Sequence, residues 1–116
     1  MDIRACYDAM GADYEEVFGR FHSEKLIIKF AGKFLDDPSY ASLCSTLAAK
    51  DYPEAARAAH TLKGVSQNLG FTPLYQASHE ITEALRADRY EETEALLPAV
   101  TEAYDRTVRA IQQLDA

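Results

Sequence analysis

One segment near the middle of the chain carries both the start signal and the stop signal of a long helix. Asp51 offers a side-chain acceptor to the first free backbone N–H groups, Pro53 suits the first turn, and Glu54 completes a variant of the capping box. Gly70 supplies the left-handed backbone conformation that commonly ends a helix. The sequence therefore predicts a helix that begins after Asp51 and runs to Leu69, and this is the clearest pair of boundaries in the chain.

Weaker signals of the same kind divide the rest of the chain into helices. Asp13 and Ser23 are suitable N-caps, and Gly11 is suited to ending a helix. Pro73, like Pro53, suits the first turn of a helix. Pro98 interrupts the apolar pattern of the last helix, and it either kinks that helix or marks its first turns as separate. The predicted helices cover approximately residues 2–10, 13–21, 23–35, 39–50, 51–69, 72–85 and 88–114.

Length and composition indicate one helical domain. The chain has 116 residues, which suits a single domain, and it is rich in residues that favour helices. No stretch shows the alternating, β-branched pattern of a strand. Short connections between amphipathic helices favour antiparallel neighbours. We therefore expect an all-α fold: an antiparallel up-down four-helix bundle over residues 23–116, with short N-terminal helices of residues 1–22 packed on it within one domain.

Charge and hydropathy argue against several classes of function. The net charge is −7, so neutralisation of nucleic-acid phosphates and binding to an anionic membrane surface are both disfavoured. The N-terminus lacks the basic and apolar regions of a signal peptide, and the apolar run Leu26–Ile28 is far too short to span a bilayer. Cys6 and Cys44 are far apart in sequence, which favours two reduced thiols over a disulfide framework. We expect a cytoplasmic protein.

The long central helix is expected to place a histidine on its outer face. At about 100° per residue, His60 points away from the apolar stripe of this helix. Lys63, Gly64 and Gln67 lie on the same outer face as His60, because residues one and two helical turns apart are neighbours. The stripe that is expected to face the core consists of Ala55, Ala59, Leu62, Ser66 and Leu69.

These residue types suit a nucleophile that another protein must reach. An imidazole that is neutral near physiological pH can attack phosphorus. Lys63 would pair electrostatically with the phosphoryl group that results. Gly64 costs about 1 kcal/mol relative to alanine in a helix interior, and it leaves a gap in the side-chain cover beside His60.

The pattern His60-x-Leu62-Lys63-Gly64-x4-Leu69-Gly70 resembles the signature of histidine-containing phosphotransfer (HPt) domains of two-component phosphorelays. Helix order and lengths extend the resemblance over residues 23–114. The resemblance implies that His60 is the phosphoacceptor, that Lys63 stabilises the phosphohistidine and that Gly64 provides clearance. It also implies a phosphorelay intermediate rather than an enzyme: the chain itself binds no cofactor, and Mg²⁺ belongs to the partner receiver domain.

Two positions depart from the family pattern. Many members have a small residue directly after the Lys-Gly pair, whereas Val65 stands here and is expected to narrow the approach. Some members carry on the following helix a glutamine that steadies the imidazole, and Thr82 falls near that position. Gln67 lies on the same face as His60 and is the other candidate for this role. The residue that orients the imidazole is therefore left open between Thr82 and Gln67.

The implied partners are receiver domains of response regulators and hybrid histidine kinases, bound by a monomer. The third predicted helix has more apolar residues than one buried stripe needs, so some of them are expected to form an exposed docking surface. We assign partner contacts to Ile28, Gln67, Phe71 and His79. The alternative is that aromatic residues of the N-terminal segment cover this surface.

Two other functions remain as rivals. A pseudo-HPt module would dock receiver domains through the same face without phosphotransfer. Metal-assisted chemistry would need His22, His60 and His79 to converge, but no spacing typical of a zinc site is present and we predict no metal site.

Overall fold

The computed structural model describes residues 1–114, which are helical with no strand among them, so the predicted all-α class is confirmed. No helix within this range is both long and apolar enough to cross a bilayer. A short 3-10 turn, Tyr90–Glu92, precedes the last helix. The helices are α1 (Ile3–Ala9), α2 (Tyr14–Phe21), α3 (Glu24–Phe34), α4 (Ser39–Ala48), α5 (Tyr52–Asn68), α6 (Thr72–Arg86) and α7 (Thr93–Gln112).

Local capping sets most of these boundaries. The side chains of Asp2, Asp13, Ser23 and Asp51 each accept a hydrogen bond from a backbone N–H in the first turn of the helix that follows. Gly70 has a φ of +70°, so it reverses the chain between α5 and α6 in a conformation that other residues adopt at a cost. The helix starts that the sequence predicts are therefore confirmed at these positions.

The last helix accommodates its proline. Pro98 lies inside α7, which continues from Thr93 to Gln112. The turn before Thr93 forms the separate 3-10 segment, and the Thr93 hydroxyl donates to the carbonyl of Tyr90 at 2.7 Å. The first turns are thus separate from α7, but the separation lies before Pro98 rather than at it.

Helices α4 to α7 form the bundle. Along the chain, α5 packs against both α4 and α6, and α6 packs against α7. Tyr40 of α4 closes the ring of helices: it stacks on Tyr104 of α7 with 4.0 Å between ring centroids, and its hydroxyl lies 2.8 Å from that of Thr101. The short connections and this closure give the predicted antiparallel bundle.

The N-terminal helices share the core of the bundle. Tyr7 of α1 is fully buried, and its hydroxyl donates to the carbonyl of Leu69 at 2.6 Å, so α1 is tied to the end of α5. Arg106 of α7 donates to the carbonyl of Ala9 at 2.8 Å. Burial raises the pKa of the Tyr7 phenol and raises that of the Cys6 thiol to about 11, so both groups stay neutral near pH 7. One apolar core contains side chains from both sides of residue 22. The predicted boundary at residue 22 itself stays a prediction.

Candidate functional site

The two faces of α5 are separated as the sequence predicts. His60, Gly64 and Gln67 are exposed, and Lys63 is half-buried. The side chains of the opposite stripe, which are Ala55, Ala59, Leu62, Ser66 and Leu69, are all buried. The orientation of α5 is therefore confirmed, and it places His60 in the interior of a helix that is anchored along its other side.

The buried stripe holds the helix firmly beneath the imidazole. Ala55 and Ala59 are small, which allows the neighbouring helices to approach α5 closely. Ser66 is the one polar member, and its hydroxyl donates to the carbonyls of Leu62 at 2.8 Å and Lys63 at 3.1 Å. Because this buried hydroxyl is satisfied within its own helix, the stripe packs without an unpaired polar group.

Within residues 1–114, the imidazole of His60 has one hydrogen-bond partner. Its Nδ1 lies 3.2 Å from Nη2 of Arg86, the last residue of α6. Among residues 1–114, no group forms a hydrogen bond with Nε2 of His60. Because the two ring nitrogens lie on different edges of the imidazole, the contact with Arg86 leaves Nε2 open to an incoming group.

Lys63 and Gly64 leave the region beside His60 accessible. The ammonium of Lys63 lies within 4.0 Å of no carboxylate in the described part of the chain, so it is available to an anion. Apart from the adjoining backbone of α5, a Cβ built on Gly64 would meet no atom of residues 1–114 within 4 Å. Packing among the described residues therefore does not require glycine at position 64, and a need for clearance would come from a visiting molecule.

Neither residue considered for orienting the imidazole forms a hydrogen bond with it. Thr82 is fully buried, and its hydroxyl donates to the carbonyl of Ser78 at 2.6 Å. Gln67 is exposed one helical turn beyond Gly64, toward the C-terminal end of α5. Arg86 takes the place considered for Thr82, one turn further along α6. The sequence analysis missed Arg86 because the contact depends on how α5 and α6 are aligned. Arg86 is four residues after Thr82, so helical spacing from Thr82 would have pointed to it.

The proposed docking residues differ in accessibility. Ile28 and Leu26 on α3 are each 40% exposed. Part of the apolar surface of α3 is therefore not covered by the N-terminal segment. The expectation for Phe71 is wrong, because Phe71 has no exposed surface. Its ring packs against those of Phe34, at 5.2 Å between centroids, and Tyr7, at 5.8 Å. The N-terminal helix supplies the cover, so Phe71 contributes to the core and offers no surface to a partner.

His79 lies on the same stripe of α6 as Arg86. It is half-buried, and its ring stacks on that of Tyr75 with 6.0 Å between centroids. Its Nδ1 is buried without a hydrogen-bond partner among the described residues. His79, Glu83 and Arg86 follow one another at helical-turn spacing, so His79 lies on the line of side chains that leads to His60.

The remaining histidine and valine lie away from this face. His22 ends α2 in a left-handed conformation, and its ring meets the edge of Phe18 at 6.4 Å. Nowhere between residues 1 and 114 do three or more His, Cys, Asp or Glu side chains form a group suited to a metal ion. Val65 lines a cavity of about 230 Å³ with Phe21 and Phe30, so its side chain lies toward α3 rather than beside His60.

Comparison with known proteins identifies the bundle. The family model described as "Hpt domain" matches residues 38–113, which include α4 to α7 in full. Neither curated proteins nor solved structures gave a significant match. The matched region covers more than half of the chain and contains the whole outer face of α5. This chain therefore belongs to the Hpt domain family.

Proposed function

We propose that the protein is a monomeric, cytoplasmic phosphoryl carrier in which His60 accepts a phosphoryl group from an aspartyl phosphate of one receiver domain and donates it to another. Membership in the Hpt family supports a role in two-component phosphorelay phosphotransfer. The observation that carries the assignment to His60 is its exposed ring in the interior of α5, with Nε2 free of hydrogen bonds among the described residues.

The proposed reaction transfers one phosphoryl group without net loss of atoms. The lone pair of His60 Nε2 forms a bond to phosphorus, and the bond between phosphorus and the aspartate oxygen of the receiver breaks. The electron pair of the broken bond stays on the carboxylate that leaves. Transfer to a second receiver is the reverse reaction with a new carboxylate, so His60 is regenerated. The chain is thus a substrate in each half-reaction, not an enzyme.

Lys63 and Gly64 have separate roles in this proposal. Lys63 lies one turn after His60 on the same face, and its ammonium lacks a carboxylate partner in the described chain. It would balance part of the negative charge on the phosphohistidine. Gly64 would admit the surface of the receiver close to the imidazole, since open space surrounds the position of its absent Cβ. Phosphoryl transfer depends mainly on positioning and charge stabilisation, which fits so small a set of residues.

The receiver would supply the metal and part of the contact surface. Mg²⁺ is expected in the acidic pocket of the receiver, and we assign no metal ligand to this chain. Receiver domains of response regulators and of hybrid histidine kinases are the proposed partners. Gln67 lies on the outer face of α5, His79 is half-buried on α6, and Ile28 adds exposed apolar surface on α3. These three residues are proposed contacts of the partner.

A phosphotransfer assay tests the proposal directly. Receiver domains from the same genome are phosphorylated with labelled donor and mixed with the protein. We expect label that is stable to base and labile to acid on the wild-type chain, and none on His60→Gln. His22→Gln is the matched control, because His22 is exposed at the end of α2, and it should label like wild type. Equal labelling of His60→Gln would overturn the assignment, and binding without label would favour the docking module.

A further inference from the structure

We propose that Arg86 is a positioning residue that exchanges its acceptor during transfer: it holds Nδ1 of His60 in the resting protein and moves to the phosphoryl group when a phosphorylated partner docks. The inference deepens the proposed function and rests on it. It begins from the contact of 3.2 Å between Nη2 of Arg86 and Nδ1 of His60, which joins the end of α6 to the outer face of α5.

The contact determines where the imidazole proton lies. A guanidinium group has N–H donors and no acceptor, so Nδ1 must accept the hydrogen bond with its lone pair. A neutral imidazole carries one proton, which is then on Nε2. A ring nitrogen that carries the proton has no free lone pair with which to attack phosphorus. While Arg86 holds Nδ1, the exposed nitrogen of His60 is accessible but not nucleophilic.

Arg86 is free to leave this position. Its side chain is 56% exposed, and its other partner is the carboxylate of Glu83 at a distance of 4.0 Å, on an exposed turn of the same helix. A neutral ring nitrogen is a weaker acceptor than a phosphoryl group with a charge near −2, and a planar guanidinium can bind two phosphoryl oxygens at once. Arrival of the phosphoryl group beside Nε2 therefore offers Arg86 a better acceptor within a short distance.

The exchange activates the nucleophile with a complete proton balance. When Arg86 leaves, Nδ1 takes a proton from water and Nε2 gives its proton to water, so the ring stays neutral and its lone pair moves to Nε2. The lone pair then forms the bond to phosphorus while the carboxylate of the receiver departs with its electron pair. Arg86 and Lys63 together would hold the transferred group. The ring becomes reactive only in the presence of its phosphoryl donor.

The tautomer is measured first, on the unphosphorylated chain without a receiver. Long-range ¹H–¹⁵N spectra separate the two tautomers, and the His60 signals are identified by their loss in His60→Gln. We expect wild type to be almost entirely protonated on Nε2. Arg86→Ala should raise the fraction protonated on Nδ1 about fivefold, the amount that corresponds to loss of one hydrogen bond with a net contribution of about 1 kcal/mol. A wild-type ring protonated on Nδ1, or no change in the variant, would overturn the proposal.

Transfer rates provide the second measurement. Arg86→Ala has more of the reactive tautomer but loses the guanidinium contact with the transferring phosphoryl group, and the proposal requires the second effect to outweigh the first. The variant should therefore accept the phosphoryl group from a phosphorylated receiver about tenfold more slowly than wild type, and Arg86→Lys should recover part of the loss. Arg57→Ala is the charge-matched control, because Arg57 lies one turn before His60, is 77% exposed and pairs with Glu54 at 3.6 Å. A rate for Arg86→Ala that equals or exceeds wild type, or an equal loss in Arg57→Ala, would overturn the exchange of acceptors.

Labelling of wild type tests the proposed function, and the tautomer and rate of Arg86→Ala test the inference that rests on it. If wild type takes no label from any receiver, the proposed function fails whatever tautomer the spectra show. If wild type takes label and Arg86→Ala matches it in both tautomer and rate, only the role of Arg86 fails. Unfolding midpoints of the variants verify that each remains folded.

Discussion

The two faces of α5 show how one helix separates stability from chemistry. Its inner face consists of small and apolar side chains that are fully buried, such as Ala59 and Leu62. Its outer face carries His60 and Gly64, which are exposed and contribute little to packing. Because each residue lies on one face, substitutions on the inner face should affect folding, and substitutions on the outer face should affect transfer.

The two glycines near the end of α5 repeat this contrast. Gly70 has a φ of +70°, and a Cβ added there would lie 3.2 Å from Cβ of Val17 in α2. Gly64 is helical, and in the described structure an added Cβ would meet no atom outside the adjoining backbone of α5 within 4 Å. The first glycine is required by the backbone turn and by close packing. The second is required by neither among residues 1–114, which is what the proposed approach of a receiver domain to Gly64 would explain.

The largest expected effect on stability comes from the inner face. Leu62→Ala should lower the free energy of unfolding by about 2–5 kcal/mol, because Leu62 is fully buried and the surrounding side chains cannot fill the cavity completely. His60→Ala should change it by less than about 0.5 kcal/mol, because His60 is exposed. Urea denaturation of the two variants checks this prediction. Similar losses in both would mean that the two faces are not separated in energy.

Alanine substitutions at Gly70 and Gly64 should change the free energy of unfolding by smaller amounts and in opposite directions. Gly70→Ala should destabilise the protein by about 1–2 kcal/mol, because alanine is strained at positive φ. Gly64→Ala should stabilise it by up to about 1 kcal/mol, because alanine favours the helix, and it should also slow phosphoryl acceptance from a receiver. Thermal unfolding and transfer rates are measured on the same preparations. A Gly64→Ala protein that transfers at the wild-type rate would show that clearance at this position is not needed.

The smallest predicted effect concerns charge on the outer face. Lys63→Ala should shorten the lifetime of the phosphohistidine or slow its formation by about three- to tenfold, since one charge-assisted contact to the phosphoryl group is lost. Stability should change little. Lys50→Ala is the control, because Lys50 is exposed in the turn between α4 and α5. Decay of isolated phosphoprotein gives the lifetime, and equal values for both variants would remove Lys63 from the site.

Local signals in the sequence predicted most of the framework. Asp51 and Gly70 mark the ends of α5 through contacts within a few residues, so their effect is readable without a structure. The outward direction of His60 follows in the same way from helical periodicity and from the buried stripe opposite. These predictions succeeded because helix boundaries and faces depend on near neighbours.

Contacts between distant segments were not predicted. Phe71 is apolar and follows a helix end, which is compatible with exposure until α1 is known to place Tyr7 over it. Arg86 carries no signal of its own, because its contact with His60 depends on the alignment of α5 with α6. Both cases require knowledge of how helices pair, which amphipathic spacing does not specify.

Mass spectrometry of the phosphorylated chain tests the central claim most directly. Trypsin cleaves after Arg57 and Lys63, so the peptide of residues 58–63 contains His60 as its one histidine. After incubation with a phosphorylated receiver and digestion in base, we predict that this peptide gains the mass of one phosphoryl group and loses it in acid. A phosphoryl group on any other peptide, or one on this peptide that survives acid, would contradict the account.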